Sequence, residues 1–289
     1  MSFLKSTCLA LGAGIAGALL VTLLHPPLPE KPKPQTAYER VLQTRTIRCA
    51  YMLWPQFIER DPNTGKFSGF EYDLMNEVGK SLGLKVEWTT EIALGTQVET
   101  LLTGKADAIC GGETTIMTTA AVQLAYTEPF AYFPIYAYTR TNDARFTNDN
   151  NRVNAEDVSV SVIDGDISQE ILRTLYVKAK PVPLPQLSDG SQMMLEVMSG
   201  KADVVLNDDL SMATFMKNNP EKLRKVSDQP IVVIPATFST LRTELALADM
   251  LSQGTKNIRD RGIESLITSQ YGFGKDLRVY TATKHYDAR

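Results

Sequence analysis

The residues best placed for chemistry are carboxylates, hydroxyls and glycines lying just past apolar runs. Asp208 follows the run Ala202-Asp203-Val204-Val205-Leu206, and a carboxylate at the carboxyl edge of a strand faces the crevice where open α/β sheets hold ligands. It serves equally as the N-cap of a helix over Leu210 to Met216, a role its neighbour Asp209 also fits. Gly111-Gly112 either brings backbone amides close to a bound molecule or simply relaxes a turn. Glu113 and Thr114 follow in what reads as a loop, as candidate contacts or as a solvated segment. Asp166 and Ser168 open a predicted helix as good caps, although a helix start also offers free amides to an anionic group. Such a set suits polar recognition of a small molecule.

A structural zinc site and most histidine-dependent catalysis lack raw material. Only two histidines occur, His25 and His285, one just after the apolar N-terminus and one in the polar tail. The three cysteines, Cys8, Cys49 and Cys110, show no C-x-x-C or Cys/His spacing, so no metal or other cofactor is expected. Cys49 and Cys110 fall in apolar, strand-like runs and are expected to be free buried thiols, with a bridge between neighbouring strands as the alternative in an oxidising compartment. A formal net charge of −3 gives no reason to expect nucleic acid as a partner.

After Lys5, the segment Thr7 to Leu24 carries no charge over about 18 residues, close to the minimum for crossing a bilayer. No A-x-A-like cleavage site follows, which favours an uncleaved signal-anchor over residues 1–25, with a cleaved signal peptide as the alternative. Lys5 then marks the cytoplasmic side, and a proline-rich linker over 26–39 holds the rest off the membrane.

Beyond the linker, strands and helices alternate, the pattern of a parallel sheet covered by helices. Thr46 to Met52 reads as a strand, and Phe70, Leu74, Val78 and Leu82 lie on one face of a helix. Leu84 to Trp88 is a strand, Gln97 to Leu102 a helix, and Ala106 to Cys110 a strand. A comparable unit begins near Val158, with a strand to Ile163, helices over Ser168 to Tyr176 and Gln192 to Met198, and a strand over Ala202 to Leu206. The halves share a phrase: Thr103-Gly104-Lys105-Ala106-Asp107 parallels Ser199-Gly200-Lys201-Ala202-Asp203, each placed between a helix end and a strand, which supports two similar α/β lobes.

Several stretches resemble the family 3 periplasmic solute-binding proteins, the amino-acid-binding type of ABC importers. Trp54-Pro55-Gln56-Phe57 is similar to that family's aromatic-Pro-x-Phe loop, and Gly65 to Leu74 to its G-x-x-x-G-F-x-x-D-L signature. Gly104-Lys105-Ala106-Asp107, Tyr126 to Phe130, Gly165-Asp166, Gly200 to Asp208 and the ending Gly254 to Tyr271 extend the resemblance over most of Val41 to Gly274. It implies a type II periplasmic-binding-protein fold in which each lobe is a mixed, mostly parallel sheet flanked by helices, after an N-terminal transmembrane helix. Lobe 1 is expected over 40–138 plus 233–275, lobe 2 over 139–232 with crossings near Thr139 and Val232, and a C-terminal tail over 276–289. The implied role is capture of a small solute by hinged closure for a membrane permease, by a monomer in the periplasm, with Trp54 stacking on the ligand or packing on the lobe surface. A membrane-anchored sensor and a dehydratase-type enzyme on the same fold are the alternatives.

One departure bears on the ligand. The family carries an arginine soon after its third strand, whose fork holds a ligand carboxylate. Gly111 to Ala121 has none here, and the next is Arg140. A pocket offering Glu113, threonine hydroxyls, Asp166 and Asp208 favours a cationic or polyhydroxylated solute.

Overall fold

The computed structural model describes residues 35–93, 95–112, 122–273 and 280–281. The predicted anchor over 1–25 and most of the linker lie outside the described residues, and among those described no helix is long and apolar enough to cross a membrane.

The chain enters through helix α1 (Ala37–Thr44), closed at its start by a capping box between Thr36 and Glu39. Strand β1 (Thr46–Tyr51) follows, then a short hairpin of β2 (Glu59–Arg60) and β3 (Phe67–Ser68). Next come α2 (Phe70–Ser81), β4 (Lys85–Glu91), α3 (Gln97–Leu102), β5 (Ala108–Gly111) and β6 (Leu124–Tyr126). The long strand β7 (Ala131–Arg140) leads to β8 (Ser159–Ile163), α4 (Ile167–Thr174), β9 (Lys180–Leu184), α5 (Gly190–Met198), β10 (Val204–Asp208) and α6 (Asp209–Asn218). Strands β11 (Leu223–Lys225), β12 (Val232–Ala236) and β13 (Ser239–Leu241) return the chain to helices α7 (Leu245–Asp260) and α8 (Ile263–Gln270), and β14 (Tyr280–Thr281) comes last.

The first sheet has the order β4-β1-β5-β13-β6 and the second β11-β7-β10-β8-β9, with β12 and β14 also paired to β7. In each sheet three strands run parallel in the same arrangement, β4-β1-β5 in one and β9-β8-β10 in the other, and the remaining pairings are antiparallel. The shared Gly-Lys-Ala-Asp phrase performs one task twice. The Asp107 amide donates to the Arg48 carbonyl while the Asp107 carboxylate accepts the Arg48 amide at 2.7 Å. Asp203 makes the same reciprocal pair with Ser159, its carboxylate accepting at 2.9 Å. Each aspartate also binds two arginines, Arg40 and Arg48 in the first lobe and Arg140 and Arg145 in the second.

One feature differs from the sequence expectations. Cys49 and Cys110 are joined in a disulfide, with Cα atoms 5.4 Å apart, and are not free thiols. The physical reason is register: β1 and β5 are direct parallel neighbours, Cys49 lies opposite Ala108, and both cysteines are fully buried on one side of the sheet. In the second sheet β7 and β12 pair with one another from Ala131–Ala236 to Ile135–Val232.

Candidate functional site

The aromatic-Pro-x-Phe loop and the G-F-x-x-D-L signature form one structural unit. Gly69 precedes α2 with φ 123° and offers no side-chain cap, so the first amides of the helix need other acceptors. The loop supplies them: the Phe70 amide donates to the Gln56 carbonyl at 2.9 Å and the Glu71 amide to the Phe57 carbonyl at 3.0 Å. The C-terminal Tyr271 completes the unit, its hydroxyl accepting from the Gly69 amide at 3.2 Å and donating to Asp73 at 2.7 Å. Phe57, fully buried, packs against Phe70, Phe133 and Phe273.

This unit presents Trp54 to a cleft of about 700 Å³ between the two sheets. Met52, Trp54, Glu91, Gln97 and Gly112 line it from the first lobe, and Asp166, Gln186, Asp189, Met193, Asp208 and Ser211 from the second. Trp54 both packs and faces the cleft. Its ring lies 4.8 Å from those of Phe57 and Phe133, and its indole N–H donates across the gap to the Ser211 hydroxyl at 3.0 Å. The lobes meet again at one rim, where Gly95, at φ 76°, sits so close to the Gln186 amide that a Cβ would lie 1.8 Å from it.

Of the residues singled out from sequence, Trp54, Gly112, Asp166 and Asp208 line the cleft. Glu113 and Thr114 lie outside the described residues. Gly111 and Ser168 lie behind the surface. A Cβ on Gly111 would come within 2.5 Å of the Ile58 side chain, so that glycine serves close packing in the first lobe. Gly112 adopts φ 74°, and its amide donates to buried Glu71 at 2.6 Å. It is therefore engaged by the protein. Ser168 is fully buried and donates to Asp166 at 2.6 Å, fixing the carboxylate that caps α4.

Asp208, and not Asp209, is the cap of α6. One carboxylate oxygen accepts the Leu210 and Ser211 amides, both at 2.9 Å, and the other accepts the Ser211 hydroxyl at 2.7 Å. Burial pushes this carboxyl above the ordinary aspartate range, against the opposing pull of the Ser211 amide and hydroxyl. Asp209 points elsewhere, accepting from the Tyr138 hydroxyl and from the Lys225 ammonium at 2.7 Å. Adjacent aspartates thus differ: one has a cation, the other only neutral donors.

The profile of the bacterial extracellular solute-binding proteins, family 3, matches residues 47–262. The chain belongs to that family. The "Probable amino-acid ABC transporter-binding protein" of Haemophilus influenzae is 24% identical over 246 residues, covering 83% of this chain and 89% of the relative. Among solved structures, a mutant of ArgBP from T. maritima aligns with TM-score 0.67 at 19% identity, over 82% of this chain and all but 1% of that one, having 99% coverage. The ancestral amino acid-binding protein AncCDT-1, a precursor of cyclohexadienyl dehydratase, aligns with TM-score 0.68 at 20% identity over 82% and 99%. These likenesses establish the type II two-lobed fold, and the family 3 profile establishes the protein as an extracellular solute-binding protein.

In this family 3 protein, sequence reasoning missed Glu71, Ser211 and Gln186. Glu71 carries a readable signal, an acid on the apolar face of α2 beside Leu74, Met75 and Val78, where a carboxylate is buried only to hold something. Ser211 stands three residues past Asp208, where the α6 cap reaches. Gln186 has no local signal, because its partner Gly95 belongs to the other lobe. The cap assignment predicts a graded response. Asp208→Ala, which deletes every acceptor, is expected to lower the unfolding free energy by about 1–2 kcal/mol, and Asp208→Asn, which keeps one oxygen over the helix, by about half as much or less. Urea denaturation of both variants checks this, and equal losses would contradict it.

Proposed function

We propose that this protein captures a small polar solute, an amino acid or an amine-like molecule, outside the cytoplasm and delivers it to an ABC-type permease, acting as a monomer and catalysing no reaction. The observation that carries the reading is the cleft itself, lined by polar and apolar side chains from both lobes and flanked by the continuous strands β7 and β12. Two connecting strands let the lobes rotate without unfolding, so that a solute bridging both faces stabilises the closed form, which a permease reads. A buried disulfide suits an oxidising compartment. Against catalysis stands the chemistry of the cleft. Asp208 has its carboxyl pushed up by burial, but both oxygens are held by α6, and no lysine, arginine or histidine lines the cleft among the described residues.

The test is a thermal-unfolding screen of the full chain against amino acids, amines, sugars and osmolytes. A captured solute at about 100 times its Kd is expected to add about 2.7 kcal/mol, a rise of roughly 5–10 °C for a protein of this size. Closure is checked by small-angle scattering, as a reduced radius of gyration with the same solute. A screen in which no compound raises the midpoint overturns the reading.

A further inference from the structure

We propose that the cleft selects amines or guanidines borne on an alkyl chain and lacking a free carboxylate, a preference that rests on the capture reading above. The second lobe points three helix starts at the cleft, and a protein that bound a carboxylate there would leave at least one of them open, since the first amides of a helix are ready-made anion donors. Here all three are capped by aspartates of the chain itself. Asp166 accepts the Ser168 amide at the start of α4, Asp189 the Ser191 amide at the start of α5, and Asp208 the Leu210 and Ser211 amides at the start of α6. All three caps line the cleft. Each of these helix starts therefore brings a carboxylate to the cleft together with its remaining amides.

Among the described residues the first lobe adds no compensating cation: Glu91 lines its side of the cleft, and no lysine, arginine or histidine does so. A ligand carboxylate brought into this space meets, among the described residues, four carboxylates and no fork to hold it. A ligand cation meets the reverse. Asp208 is the sharpest point of this field: it is 3% exposed and bound only by neutral donors, whereas neighbouring Asp209 is matched by Lys225. A carboxylate so enclosed is compensated most directly by a charge that arrives with the ligand. Met52, Trp54, Met193, Met194 and Phe215 supply apolar walls between the acids, which suit a methylene chain, and the Trp54 indole suits a cation over an aromatic ring.

The decisive experiment uses matched pairs that differ only in the carboxylate: agmatine against arginine, and putrescine against ornithine, each titrated calorimetrically into the full chain, with glutamate as the anionic control. The decarboxylated member of at least one pair is expected to bind at least about tenfold more tightly than its amino acid, a difference of about 1.4 kcal/mol, and Asp208→Asn is expected to erase most of that preference while the variant remains folded by circular dichroism. Equal or tighter binding of arginine and ornithine, or selective binding of glutamate, overturns the inference and leaves solute capture standing. An amine preference unchanged in Asp208→Asn overturns the role given to Asp208. Silence across the pairs and across the wider solute screen overturns capture itself, and the two failures are thereby distinguished.

Discussion

Gly69→Ala is expected to destabilise the protein by about 4 kcal/mol or more, enough to leave much of it unfolded at 37 °C given ordinary domain stabilities. Three costs coincide at this residue. Its backbone, at φ 123° and ψ 162°, lies in a region open essentially to glycine alone, which costs another residue about 1–3 kcal/mol. A Cβ would lie 2.2 Å from the Phe57 carbonyl oxygen and 2.6 Å from its carbon, atoms of backbone that cannot rotate away. Relief requires the loop to withdraw from α2, which breaks the bonds from Phe70 to Gln56 and from Glu71 to Phe57, each contributing about 0.5–1.5 kcal/mol. The smaller unfolded-state entropy of alanine offsets only about 0.4–1 kcal/mol of this. Gly83→Ala provides the control: its φ is 66° and nothing stands within 4 Å of the added carbon, so only the left-handed backbone cost of about 1–2 kcal/mol applies. Chemical denaturation of the two variants side by side checks the contrast. A Gly69 variant no weaker than the Gly83 variant would show that the loop yields freely.

The same residue shows what was legible in the sequence. Helix α2 was readable from its four-residue spacing, and α3 from Gln97 to Leu102, because each buries a face whose period is local. The repeated Gly-Lys-Ala-Asp phrase pointed correctly to two similar lobes, yet what its aspartate does, tying its strand to a parallel neighbour in the same sheet, involves residues dozens of positions away. Strand β9 was hidden by Pro181 and Pro183, which argue against a strand until it is placed at the edge of the sheet, where alternate residues need no partner. The cleft followed the same rule. Asp166 and Asp208 were visible as residues at strand and helix junctions, whereas Ser168 and Gly111 differ from cleft residues only in which way the packed chain turns them. Whether Cys49 and Cys110 meet depended on strand order, which periodicity does not encode.

Removing that bridge is expected to be the other large perturbation. The cysteines are 61 positions apart, and the chain-entropy estimate for closing a loop of that length is about 4 kcal/mol, within the range of about 2–5 kcal/mol for loss of native disulfides. The double variant Cys49→Ala with Cys110→Ala is therefore expected to lose about 3–4 kcal/mol in urea, with a steeper dependence on denaturant because the unfolded chain, no longer crosslinked, exposes more surface. The bridge is fully buried in the first lobe, so a thiol reductant is expected to act on the wild type only under conditions that open that lobe. Position makes the effect relevant to the site. Cys49 is followed by Tyr51 and Met52, and Cys110 by Gly111 and Gly112, so the crosslink lies where β1 and β5 deliver their chains to the cleft. Its strands are nevertheless paired on both sides, β1 by β4 and β5 by β13, and those ladders hold the cleft residues without it. The double variant should consequently keep its solute affinity within about threefold at temperatures where it is folded, since strand pairing and not the bridge sets the native register. A loss of affinity in step with the loss of stability would mean that the sulfur link itself shapes the first-lobe wall.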